Sequence, residues 1–164
     1  MPNAQRSKSD MEVLLSFNKE DCHLAEALRA TLFLLEPDLD VMEIILSPAC
    51  YGAVQFEEII ANGVREADQF LLLVGPRGLS KPQEIECKFA LTRRWQDSSF
   101  ALIPVLAANA EPPSTAIMRD LSWIELPVVT DRRAGQWIIQ ALRNSALLGV
   151  PVLNAITTEK SRSA

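Results

Sequence analysis

Histidine occurs once in the 164 residues, as His23, and that scarcity removes whole classes of chemistry. A serine-hydrolase triad needs a nucleophile elbow and a well-placed imidazole base, and one histidine early in the first predicted helix supplies no triad. Cys22 stands beside His23, but no second Cys or His follows at ligand spacing, so the pair reads as helix surface and no zinc site is expected. Cysteine is scarce as well: Cys22, Cys50 and Cys87 are odd in number and widely spaced. The polar residues 1–10 contain no signal-peptide core, and the expected compartment is the reducing cytoplasm. Long apolar runs are missing too. Residues 70–74 and 100–108 are the longest, well short of the roughly 18 residues of a membrane span, so no membrane partner is expected. Positive charge is in deficit, with a net charge of −5 and a pI near 4.9, which speaks against a nucleic-acid partner. The pairs Arg93-Arg94 and Arg132-Arg133 lie far apart and read as solvated helix-end or loop cations.

What is present is the composition of a folded protein, 48% apolar and 23% charged, at the length of one domain. Residues 11–17 (MEVLLSF) form a short apolar run that suits a buried first strand. From 21 to 35, Leu24, Leu28, Thr31, Leu32 and Leu35 recur at helical spacing, and Pro37 stops the helix. Residues 39–46 read as the second strand, followed by an irregular exposed loop at 47–52. Phe56, Ile59, Ile60, Gly63, Val64 and Ala67 mark one face of the next helix. Residues 70–74 are continuously apolar, as a central parallel strand covered on both faces requires. Ser80 and Gln83 make a capping-box pattern with Pro82 in the first turn, so a helix is expected over 81–94. Strands at 101–106 and 121–126, a short helix at 116–120 and a last helix ending near Gly149 complete the pattern. Residues 1–10 read as a disordered segment, 11–149 as the domain, and 150–164 as a polar tail or linker.

Strands alternating with helices predict an α/β fold: a flavodoxin-like parallel five-stranded sheet with helices on both faces. In the strand order 2-1-3-4-5 a crevice opens beyond the carboxyl ends of strands one and three. Residues 17–21, the turn at 75–80 and the helix carrying Glu86 would line it. Two occupants of such a crevice are excluded. Strand three ends in Val74-Gly75, without the aspartate a phosphoryl-accepting receiver domain needs there. Residues 16–21 contain no glycine, so no Gly-x-Gly-x-x-Gly cradle for a dinucleotide cofactor follows strand one.

Several segments in order carry a resemblance. LLSFNKED before an amphipathic helix resembles the opening of TIR (Toll/interleukin receptor) domains of bacterial type, and FEEIIANGVREAD is similar to the family's second helix. FLLLVGPRGLS resembles its third strand and turn. PQEIECKFAL is similar to the Trp-Gln-x-x-Glu-(Ile/Leu)-x-x-Ala-Leu segment of bacterial members, with Pro82 where many relatives have tryptophan. ALIPVL and LSWIEL match the last two strands, and the likeness covers residues 11–145.

The resemblance implies the TIR fold and one of two functions. Some members cleave NAD between nicotinamide and ribose, by hydrolysis or cyclisation, on self-assembly; others are non-catalytic adaptors that recruit further TIR domains. In the first case NAD is a substrate and no cofactor is needed, and the implied partners are other TIR domains and a sensor protein, in bacterial defence signalling. Registered on Ala90-Leu91, the family's catalytic glutamate falls on Glu86. Glu84 competes, but residues two apart on a helix project about 200° from each other, so only one enters the crevice. Phe17, Asn18 and Lys19 fall where the family contacts the nucleotide, Phe56 falls where an aromatic lies near the loop after strand two, and Gln83 joins the substrate-binding set. Core packing explains Phe56 about as well as ligand contact does. Nicotinamide leaves NAD as a neutral molecule, so one carboxylate suffices, to stabilise oxocarbenium-like charge on the ribose. Near a helix N-terminus Glu86 is expected to stay ionised.

Overall fold

The computed structural model describes residues 11–44 and 53–148. The expected disordered segment at 1–10, the loop at 47–52 with Cys50 and Tyr51, and the tail at 150–164 lie outside the described residues.

Five strands, β1 (Met11–Ser16), β2 (Leu39–Met42), β3 (Gln69–Val74), β4 (Leu102–Ala107) and β5 (Ile124–Leu126), form one parallel sheet in the order β2-β1-β3-β4-β5. The α/β, flavodoxin-like expectation holds. The helices are α1 (Cys22–Leu35), α2 (Ala53–Glu66), α3 (Lys81–Gln96), the short α4 (Ala116–Arg119) and α5 (Arg132–Leu148), and a 3₁₀ turn over Lys19–Asp21 precedes α1.

Alternation along β1 sends side chains to two separate cores. Val13 and Leu15 pack with Ala25, Leu28 and Leu32 of α1 and with Ile138 and Leu142 of α5. Leu14 faces the opposite layer, among Ile60 and Val64 of α2 and Cys87 and Ala90 of α3. β3 is buried along its whole length because helices cover both faces, which explains its unbroken apolar run. Burying each such large side chain contributes roughly 1.5–3 kcal/mol.

Two strands are shorter than expected. β2 ends at Met42, an edge strand with a ladder to β1 alone from Met11↔Leu39 to Leu14↔Met42, and residues 45–46 of the expected strand lie outside the described residues. β5 starts at Ile124 and not at 121, because the indole Nε1 of Trp123 donates to the Met118 carbonyl at 3.0 Å and ties the preceding residues back to α4. Among the described residues no helix is long and apolar enough to cross a membrane.

Candidate active site

β1 and β3 are neighbours whose chains depart to opposite faces of the sheet, β1 into α1 and β3 into α3. The crevice beyond their carboxyl ends is where this topology offers a ligand site, and local chemistry builds its walls. Ser80 caps α3: its hydroxyl accepts from the Gln83 backbone N–H at 3.3 Å, while Gln83 Oε1 accepts from the Ser80 N–H at 3.3 Å. The expected capping box is therefore present. The amide end of the same Gln83 side chain donates to the carbonyls of Leu73 at 2.8 Å and Ser16 at 3.3 Å. One buried side chain thus joins the start of α3 to the ends of both strands.

The loops above are joined as well. Asn18 Nδ2 donates to the carbonyl of Gly78 at 3.2 Å, with a longer approach to that of Arg77 at 3.5 Å. Its Oδ1 accepts from the Glu20 N–H at 3.1 Å and caps the 3₁₀ turn. Asp21, 2% exposed, accepts the Arg77 N–H on Oδ2 at 3.2 Å. Gly78 adopts φ 72°, a left-handed conformation that glycine takes without steric cost, and this turns the chain from β3 toward α3.

Glu86 lies one turn beyond Gln83 on the same face of α3 and is 8% exposed, whereas Glu84 is exposed. The two glutamates therefore diverge as the helical geometry requires, and Glu86 is the one turned toward the strands. Its ionisation differs from the sequence expectation. Burial raises the carboxyl from 4.5 to about 7, and the neighbouring Ser16 hydroxyl pulls it down by a smaller amount. The helix terminus does not keep it ionised, because Glu86 stands in the second turn and the terminal field fades within the first. A carboxyl poised near neutrality can serve as an anion or carry a proton at ordinary pH. The adjacent Cys87 is held as a neutral thiol, its pKa raised by burial and then by the nearby carboxylates.

Ser16 is 1% exposed, and its Oγ has no hydrogen-bond partner of full geometry, so its approach to Glu86 is a near contact and not a formed hydrogen bond. Ser16 was not singled out in the sequence, where it lay inside the expected strand over 11–17. The detectable signal was a hydroxyl closing the apolar run Val13, Leu14, Leu15.

The remaining predicted site residues have different settings. Asn18 and Gln83 spend their side-chain amides on the backbone contacts just described, so they hold together the strand ends, the loops and the start of α3. Lys19 is exposed in the 3₁₀ turn at the crevice edge. Phe17 is half-buried against the α1/α5 core and Phe56 against the α2/α3 core, so the two aromatics pack on opposite faces of the sheet. Cys22 and His23 are both exposed at the start of α1.

No protein-family model and no curated protein matches the chain. Among solved structures, it is similar to a CMP N-glycosidase of Clostridium botulinum, BcmB. The TM-score is 0.51 at 17% identity, covering 78% of this chain and 98% of that chain. The likeness is one of fold.

Proposed function

We propose that the chain cleaves the N-glycosidic bond between base and ribose in a nucleotide, with NAD as the substrate and Glu86 as the group that meets the anomeric carbon. The observation that carries this reading is a buried carboxyl, poised near pH 7, at the switch point of a parallel sheet. The fold neighbour is named for breaking a bond of this class in CMP, which supports nucleotide N-glycoside cleavage in general. The TIR resemblance of residues 11–145 supports NAD in particular, along with homotypic assembly of the domains.

The atoms balance with water as co-reactant. The bond from C1′ to the pyridinium nitrogen breaks, its electron pair neutralises the ring, and nicotinamide leaves uncharged. Water adds its oxygen to C1′ and gives up one proton to solvent. In between, C1′ and the ring oxygen share positive charge, which an ionised Glu86 stabilises at short range in a site of low dielectric.

The test is base release, followed by chromatography, from NAD and separately from CMP and the other nucleoside monophosphates. It is run on dilute protein and on protein clustered through a fused oligomeric tag. Nicotinamide release that is lost in Glu86→Gln and kept in Glu84→Gln supports the proposal. Release from CMP but not NAD would retain the bond class and overturn the substrate. Failure to release any base while the protein still self-associates would overturn the enzymatic reading and leave an interaction module.

A further inference from the structure

β1 delivers three buried apolar residues and then a buried hydroxyl. Ser16 is 1% exposed, and its Oγ has no hydrogen-bond partner of full geometry. Leaving a buried hydroxyl unsatisfied costs about 1–3 kcal/mol, and alanine would fit the same backbone without that cost. Such a group in a folded protein calls for an explanation, and a role at a functional site is one.

Its surroundings supply that role. The Ser16 carbonyl is engaged by Gln83 Nε2 at 3.3 Å, which anchors the serine beneath the first turns of α3. Glu86 follows Gln83 by one turn on the same helix face, and it is the carboxyl whose ionisation the Ser16 hydroxyl influences. We propose that Ser16 is a positioning residue for Glu86: when the carboxyl ionises, the Ser16 hydroxyl turns to donate to it and fixes its orientation at the end of the crevice. This rests on reading Glu86 as the group at the anomeric carbon.

The two protonation states differ in what they ask of the serine. A protonated Glu86 presents no anion, whereas the ionised form accepts a charge-assisted hydrogen bond, roughly twice as strong as a neutral one. The hydroxyl therefore opposes the desolvation that drives the carboxyl upward. Other titratable groups do not take its place. Glu84 on α3 faces solvent, Cys87 is a neutral thiol, and Asp21 at the end of the 3₁₀ turn is engaged with the Arg77 N–H. Among the described residues of β1, β3, β4 and α2, no charged side chain contributes to the shift of Glu86.

The experiment compares the full chain with Ser16→Ala and Ser16→Thr. The Glu86 carboxyl is titrated by carbon NMR on glutamate-labelled protein, its resonance assigned by loss in Glu86→Gln. Ser16→Ala is expected to raise the midpoint by about one pH unit, with unfolding temperature unchanged or higher. Nicotinamide release at pH 7 should fall about five-fold, the loss in ionised fraction for that shift, and recover at pH 9. Ser16→Thr keeps the hydroxyl and should stay within about two-fold of the parent. An unmoved titration in Ser16→Ala overturns the proposal, and so does a loss of release that persists unchanged at pH 9. If Glu86→Gln releases base as fast as the parent, the reading of Glu86 falls, while the titration still decides whether Ser16 governs the carboxyl.

Discussion

Gly75 and Asp21 touch so closely that a methyl group added to Gly75 would come 2.5 Å from Asp21 Oδ2 and 2.6 Å from its Cγ. Glycine is needed here for space. Asp21 Oδ2 also accepts the Arg77 N–H, so the lack of a side chain at Gly75 leaves room for the loop after β1 to close on the loop after β3. Gly75→Ala is expected to lower stability by about 1–3 kcal/mol, as overpacking in a closely fitted site does. Denaturant unfolding checks this, and unchanged stability would mean that Asp21 can swing away without loss.

Glu86→Gln should stabilise the protein in a pH-dependent way. The folded chain keeps the Glu86 proton between 4.5 and about 7, where the unfolded chain has lost it. Parent stability is therefore highest, from this group, below the unfolded value, and falls as pH rises through about 7. A neutral glutamine carries no such loss. The variant should be more stable above pH 7 by an amount on the order of 3 kcal/mol, with the difference closing toward pH 4. Thermal unfolding across pH 4–9 measures it.

Cleavage of NAD should rise with pH across neutrality. Only the ionised carboxyl can offset positive charge on the ribose, and Glu86 ionises around 7. The rate at pH 8 should exceed that at pH 6 by about ten-fold. A flat profile, or one that falls, would count against an anionic Glu86 as the working form.

Arg93 reaches from α3 to the end of α2. Its Nη1 donates to the carbonyls of Val64 at 2.6 Å and Arg65 at 3.1 Å and to that of Ala67, and its guanidinium lies 4.1 Å from the centre of the Phe100 ring. Burial lowers its pKa, and Asp97 and Asp68 oppose that. A cation at the carboxyl end of a helix satisfies carbonyls that have no partner within the helix. Arg93→Ala is expected to cost about 1–3 kcal/mol, with the carboxyl end of α2 losing amide-exchange protection first. Equal protection in both proteins would contradict this.

The strands and the helix layers were legible because they rest on periodicity, whereas the sheet order entered with the flavodoxin-like topology and not with any residue pattern. The continuous run at 70–74 suited a strand covered on both faces, and the stripe from Phe56 to Val64 marked a face of α2. The capping box at Ser80 and Gln83 was equally visible, as a local pattern with a local cause. The divergence of Glu84 and Glu86 followed from helical geometry. The ionisation of Glu86 was not legible, because it depends on burial beneath the strand ends and no spacing encodes that. The contact of Gly75 with Asp21 was hidden for a related reason: it joins residues brought together only by strand order. Asn18 and Gln83 carried amides suited to binding a ligand, and the fold uses those amides on its own backbone.

The bonds that Asn18 and Asp21 make to Arg77 and Gly78 tie the loop after β1 and the loop after β3 into one body. Neither loop can then be displaced without breaking hydrogen bonds to the other, so the two shift together. That edge of the sheet therefore behaves as a single hinge-free piece held by side chains from the first loop.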